Sequence, residues 1–439
     1  MIASTKTLLR TAAGAAVLGT VVAPAFATPE FDISLKGQVY AEGTDYGGSA
    51  DRQGNRTDLH FQRLRLAISG QLDETWGFKF QTCGNLGTTK QGSLGYSLTS
   101  QDTDWNDRDV RVIDAYATGD FNDAFNIKVG LTKIPLTRAN LDDCFAPLTL
   151  DRSMFVYSAY GSSPAKFSRD MGAVAWGDLA EDRLKYFAGA FQGREGFTRT
   201  NHPFNGQVVT SSMDPSNNLE YVGRVHYAFL DPEYGSGYVG TYFGEQKILT
   251  IGIGAAYEAE AAYKNVSPTG AVLNGETVDY TAIAADVFFE HPLGKGAITI
   301  NAQYLKLDFD DAYLTNFNAG DRLANITGIN GQKDGYYVKG AYLLPMVIGK
   351  EGRLQGYATY EDWEFAHLLG INNQVINQTG LGLNYYIKGQ NVRVTLEYLK
   401  TEFDIPTGLI GGRVDPVTFA PIDRYTETNT LRLMFQIVI

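Results

Sequence analysis

Over the C-terminal segment Thr430 to Ile439, apolar and polar residues alternate. Leu431, Leu433, Phe435, Ile437 and Ile439 take the odd positions, and Thr430, Arg432 and Gln436 fall on the even ones. A period of two places the two sets on opposite faces of a β-strand. The pattern recurs upstream. Val392, Val394, Leu396 and Tyr398 alternate with Arg393, Thr395 and Glu397, and Ile298, Ile300, Ala302 and Tyr304 with Thr299, Asn301 and Gln303. Leu64, Leu66, Ile68 and Leu72 stand opposite Arg63, Arg65, Ser69 and Gln71.

Each stretch is long enough for a tilted strand to cross a bilayer, which takes ~9–11 residues. The pattern predicts about sixteen such strands, from 32–41 and 59–72 at one end to 391–402 and 427–439 at the other. Short connections (Asp73 to Thr75, Gly119 to Ala124, Leu179 to Asp182, Pro292 to Lys295, Lys388 to Gln390) alternate with long ones (86–108, 132–168, 192–218, 308–333, 403–426). Short turns on one side and long loops on the other are the habit of outer-membrane barrels. Closure follows from the edges: an open sheet in lipid would leave unpaired backbone groups, and a closed one leaves none. The fold expected is therefore all-β, a transmembrane antiparallel barrel wide enough to leave an aqueous lumen. The pairs Tyr385-Tyr386, Tyr336-Tyr337 and Phe288-Phe289, with Trp76 and Phe78, are expected in aromatic girdles at the two interfaces.

Composition agrees. Gly (48), Tyr (26) and Phe (24) are frequent while Pro (14) is not, which suits strands better than disorder. The formal net charge of −12 excludes the basic excess that nucleic-acid binding needs. At the N-terminus, Lys6 and Arg10 precede an uncharged Ala-rich run from Ala12 to Val22, then Pro24 and the A-x-A pattern Ala25-Phe26-Ala27. That order reads as a secretory signal peptide over residues 1–27, leaving a single barrel domain over 28–439. Past it no long apolar run exists, so spanning helices are not expected.

Between residues 126 and 193 the chain resembles a known family. Gly130-Leu131-Thr132-Lys133-Ile134-Pro135 is similar to the G-x-x-K-x-P element of the phosphate-selective porin O and P family, and Leu148 to Ser153 to its L-T-x-x-x-R-S element. Arg169-Asp170-Met171-Gly172 resembles the R-D-x-G strand start, and Tyr186 to Gly193 the Y-x-x-x-x-F-x-G strand. The resemblance implies a sixteen-stranded homotrimeric barrel whose third external loop, here 132–168, folds inward as a constriction. It also implies basic residues along the pore. Those available are Arg63, Arg65, Lys79, Lys128, Lys133, Arg138, Arg152, Lys166 and Arg169. The chain departs from the family pattern in ending on Ile439 instead of Phe, and in placing Asp142-Asp143 within the constriction loop.

Cys83 and Cys144 are the only cysteines. An exported protein could join them as a disulfide pinning the loop to the wall, or keep two separate thiols. The five histidines show no metal-ligand spacing, and no nucleophile elbow, phosphate-cradling loop or C-x-x-C is present. The acidic stretch Asp102 to Asp109 reads as a solvated loop before a Ca²⁺ site. No catalytic residue, metal or cofactor is expected. The function expected is passive diffusion of small hydrophilic solutes, anions such as phosphate among them, through an outer-membrane porin. The alternative is a barrel that sheathes a partner such as a multihaem cytochrome.

Overall fold

The computed structural model describes residues 30–46, 56–84, 110–157, 169–193, 216, 218–264, 274–310, 331–368, 371–407 and 425–439. The expected signal peptide, the Asp102 to Asp109 stretch and Lys166 lie outside them. The described strands are β1 (Glu30–Asp45), β2 (Arg56–Gln71), β3 (Trp76–Gly84), β4 (Val110–Asn122), β5 (Phe125–Lys133), β6 (Arg169–Leu179), β7 (Leu184–Phe191) and β8 (Glu220–Ala228). They continue as β9 (Ile248–Tyr263), β10 (Thr277–Leu293), β11 (Gly296–Asp308), β12 (Lys333–Ile348), β13 (Gly352–Leu368), β14 (Ile371–Lys388), β15 (Val392–Thr407) and β16 (Tyr425–Val438). Each pairs antiparallel with its chain neighbours, and β1 pairs with β16, so the sheet is a closed barrel.

The seam is sealed to the last residue. Leu35 and Ile439 exchange both backbone hydrogen bonds at 2.9 Å, so a terminal Ile closes the ladder through its main chain. The alternation sorts as expected. On β16, Leu431, Leu433 and Phe435 are exposed on the outer wall, while Arg432, Met434 and Gln436 are buried inside. On β2, a bulge near Gln38 and Val39 leaves Arg63 and Arg65 inward and Leu66 outward.

Two connections break the alternation of short and long. The β8–β9 connection, residues 229–247, is at the end of the short turns yet is long, and β13 and β14 are separated only by residues 369–370 at the opposite end. The paired aromatics also split: Tyr386, Tyr337 and Phe288 are buried inside. At the turn end the expected Trp76 is on the outer wall, joined there by Phe121 and Phe125 in edge and tilted contacts with centroids 5.6 Å apart. Outward tyrosines (Tyr221, Tyr257, Tyr304, Tyr336, Tyr360, Tyr398) mark the other boundary, and aliphatic outward residues such as Ile251, Ile253, Ile298, Ile300 and Leu396 lie between.

Candidate functional site

The loop after β5 turns into the lumen at once. Ile134, Leu136 and Thr137 are buried, and Thr137 caps the short helix α1 (Arg138–Leu141) by accepting from Asn140 N at 2.9 Å. The chain then crosses to β1 and β2. Lys36 reaches Asp143 at 3.4 Å, and Gln38 donates to the Cys144 carbonyl at 3.3 Å. Arg63 donates to Gln38 at 2.9 Å and Asp151 at 2.7 Å. From there the loop runs along the far wall. Its carbonyls at Phe145, Pro147 and Leu148 accept from Gln436 (2.7 Å), Arg393 (2.8 Å) and Asn384 (2.8 Å). Lys339 donates to Thr149 at 3.0 Å. A second short helix, α2 (Met154–Tyr157), seats Phe155 against Trp363 and Phe365.

A cavity of about 50 Å³ lies between the loop and the wall built by β3 to β7. Lys79, Tyr116, Lys128, Thr132, Lys133 and Ser236 line its polar part, and Pro135, Leu141, Val174 and Phe187 its apolar part. Lys79, Tyr116, Lys128 and Lys133 keep partial exposure, unlike the inward residues elsewhere that the loop covers. Lys128 donates to Ser236 Oγ at 2.5 Å and lies 5.5 Å from the Tyr116 ring. Lys133 donates to the carbonyls of Leu141 and Asp142 at 3.1 and 2.7 Å. Among the described residues no carboxylate forms an ion pair with these three lysines. Asp114 also lines the cavity and is paired with Arg169 at 3.1 Å. The cavity is therefore lined by three positive charges and one neutralised pair.

Eight of the nine basic candidates are among the described residues, and they divide. Lys79, Lys128 and Lys133 face the cavity. Arg169 is buried beside it in its pair with Asp114. Arg63, Arg65, Arg138 and Arg152 hold the loop: Arg138 is fully buried on Glu233, and Arg152 donates to the carbonyls of Ala139, Asn140 and Asp142. Asp142 and Asp143 do not line the cavity. Asp143 is taken up by Lys36, and Asp142 Oδ1 lies 3.9 Å from Arg138.

Cys83 and Cys144 are free, buried thiols, and both interact with Arg65. Arg65 donates to Cys144 Sγ at 2.5 Å. Burial alone would push the Cys144 thiol up, but Arg65, with Arg63 and Arg152, outweighs it and leaves the thiol below its ordinary value. Among the described residues no group of His, Cys, Asp and Glu is arranged to hold a metal ion.

Sequence reasoning missed Glu233 and Ser236, which reach the site from the β8–β9 connection. Only the length of that connection, out of place among short turns, could have pointed to them. Arg393 and Lys339 share the inward parity of Arg63 and could have been found by it.

The sequence profile of the phosphate-selective porin O and P family matches residues 33–405. The chain belongs to this family. An uncharacterized protein of Aquifex aeolicus is 23% identical over 367 residues, covering 81% of this chain and 77% of that protein. The anion-selective porin from Comamonas acidovorans superposes with a TM-score of 0.52 at 11% identity, covering 94% of this chain and all (100%) of that one. OprB of Pseudomonas putida, in its high-pH structure, gives 0.54 at 10% identity with 93% and 94% covered. At such identities the structural likeness speaks for the fold. Family and fold together are those of bacterial outer-membrane channels, which pass small solutes and are not enzymes.

Proposed function

We propose that this porin conducts small anions by passive diffusion, with its size and charge filter in the gap between the inward loop and the β3–β7 wall. The observation that carries this reading is the set of lysines around that gap, Lys79, Lys128 and Lys133, which have no carboxylate partner among the described residues. A narrow constriction ringed by one sign of charge favours the opposite ion, because low-dielectric walls focus its field. The anion-selective porin of C. acidovorans and the family's own description support the same sign. Phosphate is one candidate solute, and export under a leader ending at Ala27 and assembly as a homotrimer belong to the same proposal. The sheath reading fits less well, since the chain's own loop occupies the space a partner cytochrome would need.

The test is single-channel recording of the refolded protein in a planar bilayer under a KCl gradient. Open steps with a reversal potential biased to chloride are expected, in groups of three for a trimer. Lys128→Glu should move that potential toward the cation value, and added phosphate should reduce the chloride current if phosphate enters the gap. A cation bias in the unaltered protein would discard anion selectivity and keep the channel. A folded barrel without conductance would overturn the channel reading and put the sheath first.

A further inference from the structure

The β8–β9 connection sits at the end of the barrel where the other connections are tight turns, yet residues 229–247 enter the lumen and meet the inward loop from the opposite side. Glu233, Tyr238 and Thr241 are all buried. The backbone contacts form a short seam: Asp143 N donates to Tyr238 O at 2.9 Å, Gly240 N to Ala146 O at 2.7 Å, and Tyr238 N to Leu141 O at 3.5 Å. Beside the seam, Arg138 Nη1 and Nη2 grip the two Glu233 oxygens at 2.8 and 2.6 Å. Glu233 also accepts from Tyr242 Oη at 2.8 Å and Thr250 Oγ1 at 3.0 Å. The Arg138 guanidinium lies 4.4 Å from the Tyr238 ring and 4.0 Å from that of Phe288. A fork of two charge-assisted bonds against aromatic faces fixes direction as well as distance. Farther along the connection, Ser236 meets Lys128 at the cavity wall.

We propose that the β8–β9 connection is the second half of the constriction: Glu233 latches the inward loop through Arg138, and Ser236 walls the gap that the latch holds at fixed width. Glu233 is then a positioning residue for the pore, acting through Arg138, and Ser236 a specificity-determining one. The inference rests on the channel reading above. Its logic is that neither element closes the lumen alone. The loop comes from the side of the long loops and the connection from the side of the short turns, and removing one partner of a buried pair leaves the other as an uncompensated charge that drives the contact apart.

Glu233→Ala should raise the single-channel conductance several-fold and weaken the chloride bias. It should also open the loop's own Arg138 and Arg152 to trypsin. The barrel's heat-modifiable gel mobility, a measure of the closed sheet, should stay as in the unaltered protein. A merely structural role would move mobility and leave the reversal potential alone. Arg138→Met with Glu233→Leu, which replaces the pair by apolar groups, should return conductance close to the starting level. Ser236→Trp, a change outside the latch at a half-buried position, should lower conductance with the loop still protected, and it tests the wall even where Glu233→Ala does not fold. Unaltered conductance in folded Glu233→Ala, or in Ser236→Trp, overturns the inference while the conducting parent keeps the channel reading. A non-conducting parent overturns both.

Discussion

Arg63, Arg65, Arg138 and Arg152 carry permanent charge yet are nearly closed to water, and each is met by an acceptor on the loop or on the β8–β9 connection. Lys79, Lys128 and Lys133 keep partial exposure, with no carboxylate paired to them among the described residues. The division suits the chemistry: a planar fork binds carboxylates and carbonyls in fixed geometry, whereas an ammonium remains a mobile point charge. Burial would raise the Glu233 carboxyl, but Arg138 outweighs it and holds the group down to about 2. A carboxyl depressed in the folded state contributes stability that is complete above its unfolded value, ~4.3, and is lost only as pH falls through the folded one. The latch should therefore survive acidification, and the conductance step should stay constant from pH 8 to pH 4. A step that grew between pH 6 and pH 4 would place the controlling group elsewhere. Period two sufficed to turn Arg63 and Arg65 inward, but which inward cation meets water depends on Asp151 and Cys144, far along the chain, and spacing carries no record of that.

All sixteen strands were legible in the alternation, most to within a few residues at each end. The largest shortfall explains itself. The alternation suggests 353–363 and 377–387, whereas β13 and β14 run to Leu368 and from Ile371, with Leu368 and Ile371 in register. Beyond Tyr360 the outward positions on β13 are Asp362, Glu364 and Ala366, none of them a large apolar side chain. There the outward face is acidic while Trp363 and Phe365 are buried inward against Phe155, so the strand continues with the polarity of its two faces reversed and apolar-outward alternation no longer marks it. The inward loop has the opposite problem: its described residues are mostly buried yet nonperiodic, and only its resemblance to a family element marked it. Its fit against β9 depends on Gly254, where an added Cβ would stand 2.0 Å from the Leu136 carbonyl oxygen. Gly254→Val suits a strand but not this contact. The variant should fold as a barrel, displace the loop from β9 and show wider, less uniform conductance steps. Steps identical to the parent's would mean that the loop's other anchors set its place without β9.

At the scale of the molecule, the barrel divides its surface by solvent, and the two divisions are loaded differently. The inner one is a dense polar network whose members are far apart in sequence, so losing a single bond changes pore shape before it changes the sheet. The outer one is a band of isolated apolar side chains between the turn-end aromatics and the outward tyrosines, and its cost scales with depth in the bilayer. Ile253 lies within this band, 56% exposed on β9, between the turn end of that strand and Tyr257. Ile253→Arg should destabilise the folded barrel by ~2–4 kcal/mol, the cost of a lipid-facing cation near the midplane. Reversible urea unfolding in lipid vesicles measures this. The same change should leave conductance and reversal potential untouched, because Gly252 and Gly254, not Ile253, face the lumen and the loop. A selectivity change without loss of stability would mean that the outward face of β9 meets something other than lipid, and would assign this stretch to a protein contact.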